Sequence, residues 1–178
     1  MDRDQCNSLV VSGSGLFAGT FTGIFLSTDS GASWTAINSG FPTARVHALA
    51  VDGTTVIAGT DAGVFLTTDN GMTWAEADSG LTTRSVFSLV VKGTSLFAGT
   101  YGGGAFLSTD NGTSWAAVNS GLTSSYVLSL ALTGTSLLAG TVRGVFESSN
   151  RRRQSGCNCV AGSPGGNGRP NRSSAGCL

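Results

Sequence analysis

The sequence predicts an all-β fold: a partial β-propeller with about three and a half to four blades, each a four-stranded antiparallel sheet. The tripeptide AGT occurs at 18–20, 58–60, 98–100 and 139–141, so the chain repeats every 40 or 41 residues. The 27 glycines separate short apolar segments, and no segment keeps the 3.6-residue period of a helix. Four short strands in about 40 residues is the size of a propeller blade.

The second repeat shows the elements of a blade in order. Strands are predicted at 46–51, 55–60, 63–67 and 73–77, and glycine-rich turns separate them. The same segmentation recurs along the chain. It predicts a lead at 1–7, followed by blades at 8–44, 45–84, 85–125 and 126–150.

One octapeptide recurs once per blade, between the third and fourth predicted strands. It reads STDSGASW at 27–34, TTDNGMTW at 67–74 and STDNGTSW at 108–115, and we call these segments the aspartate turns. The Asp carboxylate can accept backbone N–H groups, the Gly can take a left-handed conformation, and the Trp can pack against the neighbouring sheet. A structural role is therefore predicted for Asp29, Gly31, Trp34, Asp69, Gly71, Trp74, Asp110, Gly112 and Trp115, with all three tryptophans largely buried.

The pattern Ser/Thr-x-Asp-x-Gly-x-x-Trp resembles the Asp-box, also called the bacterial neuraminidase repeat. Its framing, LFAGTxxGVFxSTDxGxxW, resembles propellers of the sialidase-like and photosystem II assembly-factor-like superfamily over residues 8–150. That superfamily includes sialidases, xyloglucan hydrolases, sorting receptors and non-enzymatic assembly factors. The resemblance implies that the aspartate turns lie away from any active site, and it implies an extracytoplasmic location. The start, MDRDQCNSLVVSGSG, does not read as a secretory signal.

The repeat stops inside the fourth unit. Asn150, Arg152 and Ser155 stand where the sister units have the Asp, Gly and Trp of the aspartate turn. Residues 151–178 show no apolar period and are predicted to be a disordered, low-complexity tail that is dispensable for stability. A shifted reading frame after residue 150 is the alternative hypothesis.

The opposite end of the blades carries the candidate binding residues. This loop end consists of the turns that follow AGT and the loops that follow the Asn/Asp-Ser-Gly segments, and its residues differ between the repeats. Varying loop residues are typical both of a binding surface and of unconstrained loops. The candidates are Phe21, Arg45, Asp61, Arg84, Tyr101, Tyr126 and Arg143.

The acidic residues do not predict a glycosidase site. Glycoside hydrolysis usually needs two carboxyls on opposite sides of the scissile bond. Asp78 shares its position with Asn38 and Asn119, which indicates a turn residue, and Glu76 lies in a predicted outer strand. Only Asp61 then stands on the loop end. His47, the single histidine, shares its position with Phe87 and Leu128 and is interpreted as a core-strand residue.

The composition and the cysteine spacing limit the classes of partner and cofactor that the sequence predicts. Ten basic and ten acidic residues balance, so nothing favours nucleic acid or an anionic membrane, and no apolar run is long enough to span a bilayer. The CxC at 157–159 lacks zinc-site spacing, so no metal or cofactor is predicted. The sequence predicts a non-catalytic scaffold for protein or ligand binding or assembly. The alternative is a fragment of a secreted sialidase-like or xyloglucanase-like hydrolase.

The ends of the array carry a further expectation. Three blades and most of a fourth lie at the lower limit for a closed ring, because typical propellers have 4 to 8 blades. Unpaired sheet faces and strand edges invite association. We therefore expect either a dimer with a combined ring or a fragment of a six- to eight-bladed propeller.

Overall fold

The computed structural model describes residues 5–134 and 136–148, and within them the chain forms four antiparallel sheets and no helix. Three sheets have four strands and the last has three, which confirms the predicted all-β, propeller-like class. The strands are β1 (Cys6–Ser12), β2 (Gly15–Thr20), β3 (Ile24–Ser27) and β4 (Thr35–Ala36) in blade one; β5 (Val46–Asp52), β6 (Thr55–Thr60), β7 (Gly63–Thr67) and β8 (Ala75–Glu76) in blade two; β9 (Val86–Lys92), β10 (Ser95–Thr100), β11 (Gly104–Ser108) and β12 (Ala116–Ala117) in blade three; and β13 (Val127–Thr133), β14 (Ser136–Thr141) and β15 (Gly144–Ser148) in blade four.

The strands of each blade lie side by side in sequence order. The first strands of successive blades are also neighbours, so β1, β5, β9 and β13 form the inner row of the array. Side-chain hydroxyls join this row: the Leu49 amide donates to Ser8 Oγ at 2.9 Å, and the Leu130 amide donates to Ser88 Oγ at 2.9 Å. The blades are therefore tied through their inner strands as well as through their packed faces.

The fourth strand of each complete blade is shorter than the five residues predicted at 73–77. Only Ala75 and Glu76 pair with β7 in the ladder, and the Ala77 amide donates to Val64 O at 2.8 Å. The amide of Trp74 donates instead to Ser39 O of the preceding blade at 3.0 Å. Repeat spacing alone does not reveal a bond of this kind.

Two sequence expectations concern the ends of the chain. Strand β1 begins at Cys6, earlier than the predicted blade boundary at residue 8, and the Asn7 side-chain amide donates to Val46 O at 2.9 Å. The predicted tail at 151–178 and the columns at 150, 152 and 155 lie outside the described residues. The predicted blade boundaries remain a prediction there.

The core consists of apolar layers between blades. Between blades one and two, Phe17 and Ile24 pack with Val46, Phe65 and Trp74, and all five are buried. The next two junctions have equivalent clusters, centred on Trp115 and on Phe146. Because each blade buries its faces only against its neighbours, stability depends on the stacking of the repeats.

A β-bulge occupies the same place in every inner strand. In β5 the pairing passes from Val46 to Ala48, so His47 has no partner across the ladder. A bulge leaves one residue unpaired and turns its side chain in a new direction. The four bulge residues are Asn7, His47, Phe87 and Leu128.

Candidate functional site

The aspartate turns are closed hydrogen-bond networks. In blade three, Ser108 Oγ donates to Asp110 Oδ1 at 2.7 Å, and Asp110 accepts the Ser114 amide at 2.9 Å and the Ser114 hydroxyl at 2.5 Å. These bonds, led by that of the Ser114 hydroxyl, lower the pKa of Asp110 to about 2. Gly112 has φ 87°, which is the left-handed conformation that the turn needs. Asp29 and Asp69 accept equivalent bonds and have their pKa lowered to about 2 by the same causes.

The three tryptophans differ according to whether a blade precedes them in the structure. Trp74 and Trp115 are each 5% exposed, and their indole N–H groups donate at 2.8 Å to backbone carbonyls of the preceding blade, Ile37 O and Ala77 O. Trp34 is only half-buried, and its indole donates to Gly31 O in its own turn at 3.2 Å. Burial is therefore nearly complete for Trp74 and Trp115 and only partial for Trp34.

At the loop end, Phe21 and Arg45 join blade one to blade two. The Arg45 guanidinium carbon lies 4.0 Å from the centre of the Phe21 ring, a cation–π contact. Arg45 Nε is buried, with no hydrogen-bond partner among the described residues. The Arg45 carbonyl accepts the Asp61 amide at 3.2 Å, which fixes the adjacent turn.

His47 continues this arrangement. Its Nε2 lies 2.7 Å from Asp61 Oδ1, and its ring stacks on Phe87 of blade three with centroids 4.1 Å apart. The side chain of His47 is 7% exposed, in keeping with a core-strand interpretation. The bulge, however, turns it toward the loop end, where it joins two of the blades.

Aromatic contacts then extend to blade four. The ring of Phe87 lies 5.5 Å from that of Tyr101, and Tyr101 meets Tyr126 edge-on at 4.6 Å. The third repeat is one residue longer in this region, where it reads YGGGAF at 101–106. The amides of Gly102 and Gly104 both donate to Ser125 O in the next loop. We call the continuous set Phe21, Arg45, His47, Asp61, Phe87, Tyr101 and Tyr126 the loop-end row.

A second group of charged side chains lies at the outer side of blade two. Arg84 Nη2 lies 2.7 Å from Glu76 Oε1, and Arg84 Nε lies 3.6 Å from Asp78 Oδ2. Burial, followed by the neighbouring Glu76 carboxylate, raises the pKa of Asp78. Blades one and three have uncharged residues at all three positions: Ala36, Asn38 and Ala44, and Ala117, Asn119 and Ser125.

This charged group replaces a bond that asparagine makes elsewhere. In blade three, Asn119 Oδ1 accepts the Ala105 amide at 2.7 Å and Asn119 Nδ2 donates to Gly103 O at 2.8 Å. Aspartate has no amide donor, and in blade two Arg84 Nη1 donates to Ala62 O at 3.3 Å instead. Arg84 and Glu76 also line a cleft of about 370 Å³ whose apolar wall includes Phe41 and Phe65.

The structure sorts the seven predicted candidates into three groups. The loop-end row contains Phe21, Arg45, Asp61, Tyr101 and Tyr126, whereas Arg84 belongs to the charged group of blade two. The Arg143 amide donates to Thr141 Oγ1 at 3.1 Å, and no contact joins its side chain to the row within the described residues. Whether these residues form a binding site is a prediction.

The candidate binding residues predicted from the sequence do not include His47, Phe87, Glu76 and Asp78. His47 is interpreted as a core-strand residue because its position holds Phe87 and Leu128 in the sister repeats, and the repeat does not reveal the bulge at this position. Asp78 was interpreted as a plain turn residue because its sisters are asparagines. The sequence does contain a signal for Glu76 and Asp78: positions 76, 78 and 84 are all charged in the second repeat, and the equivalent positions of the first and third repeats are all uncharged.

Two further properties concern the described part of the chain alone. No cluster of three or more His, Cys, Asp or Glu side chains in residues 5–134 and 136–148 is arranged to hold a metal ion. The same residues include no helix that is long and apolar enough to cross a membrane.

Comparison with known proteins identifies the fold. No protein-family model and no curated protein matches the chain. Among solved structures, the chain is similar to an ancestral GH74 enzyme, with 22% identity and a TM-score of 0.67 over 81% of this chain and 22% of that one. It is also similar to YCF48 bound to a D1 peptide, with 16% identity and a TM-score of 0.61 over 83% of this chain and 50% of that one.

A third similar structure is a designed protein. The computationally designed Ika4 protein matches with 14% identity and a TM-score of 0.64, over 82% of this chain and 91% of that one. The chain therefore spans about a fifth of the GH74 enzyme, half of YCF48 and nearly all of Ika4. At these identities the matches show a shared β-propeller architecture.

Proposed function

We propose that this chain is a non-catalytic β-propeller scaffold whose loop end binds an extended segment of another protein. The observation that carries the proposal is the loop-end row, a series of contacts that crosses all four blades: side chains touch from Phe21 to Arg45 and from Asp61 to Tyr126, and a backbone hydrogen bond joins Arg45 to Asp61. A surface that joins several blades presents one long recognition site, whereas unconstrained loops would present separate side chains.

The exposed members of the row have the chemistry of a protein interface. Tyr101 is 50% exposed, and Phe21 and Tyr126 are each 40% exposed. Tyrosine and arginine are enriched where proteins bind each other, and tyrosine adds large contact area at low conformational cost. Phe87 contacts the ring of Tyr101 and stacks on His47, and Tyr101 in turn contacts Tyr126. Such a row is suited to a chain segment that lies along it.

The carboxylates support binding rather than hydrolysis. At the row, the Asp61 carboxylate is paired with His47. Glu76 and Asp78 lie beside each other against Arg84 and do not face each other across a gap that could hold a glycosidic bond. Hydrolases of glycosides place their carboxyls on both sides of that bond. The glycoside hydrolase fragment is the second candidate, and its catalytic residues would lie in other blades.

The aspartate turns support membership of the Asp-box superfamily. Their Asp and Gly residues make the same local bonds in three successive blades, as a fold-determining motif should. This assignment is compatible with both candidate functions, because the superfamily includes enzymes and non-enzymatic binders. The function therefore depends on the loop end.

The test is a selection of extended peptides from a displayed random library on the immobilised full chain, followed by titration of a selected synthetic peptide. We expect Tyr101→Ser to weaken its binding about tenfold, because an exposed tyrosine anchor is worth about 1 to 2 kcal/mol. Met72→Ser is the matched control: Met72 is 72% exposed in an aspartate turn, and binding should not change.

Two results would contradict the proposal. In the first, no peptide is enriched. In the second, the selected peptides bind the Tyr101→Ser and wild-type chains equally, so that the row is not the site. Binding of xyloglucan or sialyl oligosaccharides in place of peptides would favour the hydrolase-fragment candidate.

A further inference from the structure

Blade one has an apolar face that no described residue covers. Leu9 is 55% exposed and Val11 is 61% exposed, and Phe25 and Trp34 are half-buried. The counterparts of Leu9, Phe25 and Trp34 in blade three or four are covered by the preceding blade: Leu130 is 9% exposed, Phe106 1% and Trp115 5%. The counterparts of Val11 are partly buried against the same junctions. The face of blade one is thus the kind of surface that, everywhere else in the array, packs against another blade.

Blade four has the complementary face. Val145 is 47% exposed, whereas Ile24, Val64 and Ala105, which hold its position in the first three blades, are fully buried against the following blade. The surroundings of the AGT glycine show the same difference between blade four and the blades before it. Gly59 and Gly99 each approach the first valine of the next inner strand, and Gly140 meets no residue of a following blade among those described.

The inner-strand hydrogen bonds indicate which surface fits there. Ser8 and Ser88 each accept the amide of a leucine in the following blade, and Ser129 holds the same position in blade four. Ser129 is exposed, and Leu9 of blade one is the residue equivalent to those leucines. No hydrogen bond reaches Ser129 Oγ from residues 5–134 and 136–148, and this acceptor at one end matches the donor position at the other.

We propose that two copies of this chain associate head to tail, with blade four of each copy packed on blade one of the other, and close an eight-bladed ring. At each junction Leu9, Val11 and Phe25 cover Val145, and Ser129 Oγ accepts the Leu9 amide of the second copy. Two such heterologous junctions close a ring without leaving a free face. Eight blades fall within the usual range for propellers.

The local contacts of Trp34 fit this junction. Trp74 and Trp115 depend on carbonyls at the outer edge of the preceding blade, and the described part of blade four ends with β15, before such a segment. Trp34 donates to Gly31 O in its own turn and needs no acceptor from a neighbour. The junction therefore requires only the first three strands of blade four, and the fourth strands contribute just two paired residues each elsewhere.

The experiment is light scattering on the size-exclusion peak of the full chain. We expect a mass of twice 17.9 kDa for the wild type and of 17.9 kDa for both Val11→Asp and Val145→Asp, each of which places a charge in both junctions. Met72→Asp, on an exposed residue away from both faces, is the matched control and should remain a dimer. Thermal unfolding of each variant checks that the fold is intact, as is expected for substitutions at exposed positions.

An equimolar mixture of Val11→Asp and Val145→Asp separates head-to-tail association from other dimers. In a heterodimer one junction contains both charges and the other contains none, so the mixture should regain a dimer. A face-to-face pairing of two blade-one surfaces gives no such recovery. A wild-type monomer, a dimer unaffected by Val11→Asp, a mixture that stays monomeric, or open-ended oligomers would each overturn the proposal.

Discussion

The two ends of each blade follow different rules. At the end with the aspartate turns, the same serine or threonine, aspartate and glycine make the same bonds three times, with donor–acceptor distances that agree within about 0.1 Å in Asp29, Asp69 and Asp110. At the loop end, equivalent positions hold Phe21, Asp61 and Tyr101, and each makes a different contact. The repeated end stabilises the blade, and the variable end is free to acquire a binding surface.

The largest expected effect comes from a substitution at the end with the aspartate turns, at the junction between blades one and two. Trp74→Ala should lower the free energy of unfolding by about 3 to 5 kcal/mol, because it removes a buried ring and leaves a cavity between blades one and two. Trp34→Ala, at the same position in blade one, should cost only about 1 to 2 kcal/mol because that ring is only partly buried and no preceding blade packs on it among the described residues. Urea unfolding of both variants measures the difference. Equal losses would show that the preceding blade contributes nothing to the role of the tryptophan.

A smaller effect concerns the charge of the three aspartates. Their pKa of about 2 in the folded chain lies below the ordinary value of 3.8, so their hydrogen bonds stabilise the fold above about pH 4, and this contribution is lost as the pH falls toward 2. Thr73→Val removes the strongest hydrogen bond to Asp69 and should make the acid dependence of the urea midpoint shallower. If Thr73→Val leaves the loss of stability at acid pH unchanged, groups other than Asp69 cause that loss.

At the loop end, a stabilising substitution is expected. Asp78→Asn should raise the free energy of unfolding by about 1 kcal/mol at neutral pH, because it restores the two-sided amide bond of Asn119. The pKa of Asp78 is raised, so its contribution is most favourable at acid pH and is lost as the pH rises, and the gain from asparagine should shrink in acid. The reciprocal change Asn119→Asp should destabilise. If both changes have the same sign, the comparison between blades is wrong.

The smallest effect on stability should come from the exposed tyrosine of the loop-end row. Tyr101→Ser should change the free energy of unfolding by less than about 0.5 kcal/mol, because the side chain is half-exposed and fills no core. Thermal unfolding beside the peptide titration would separate binding from stability. A loss comparable to that of Trp74→Ala would mean that the loop end also stabilises the fold.

The propeller architecture could be predicted from the sequence because each blade repeats the same local instructions. The turn residues set the hairpins, and the AGT and aspartate turns fix the spacing of the strands. Trp34 shows the limit of this reasoning: aligned repeats treat every copy as equivalent, but burial depends on whether a neighbour is present. Such position-dependent effects become visible only in the three-dimensional structure.

The candidate site could be predicted only in part, for a similar reason. The position that His47 shares with Phe87 and Leu128 predicts a core-strand residue, but it does not predict the bulge or the contacts of His47 with Asp61 and Phe87. The charged group of blade two depends on Arg84, whose long side chain reaches a carbonyl more than twenty positions away in the sequence. Contacts made by bulges and long side chains do not follow the period of the repeat.

The bulge in each inner strand has a consequence for how this molecule can change. Because the pairing passes over that residue, its side chain is not constrained by a partner across the ladder, and the four copies hold an amide, an imidazole, a phenyl ring and an isobutyl group at the same place. The residue at each of these four positions can therefore change without altering the pairing of the strands. A combinatorial library at Asn7, His47, Phe87 and Leu128 would graft new specificities onto the array and leave the hydrogen-bond ladders of its sheets intact.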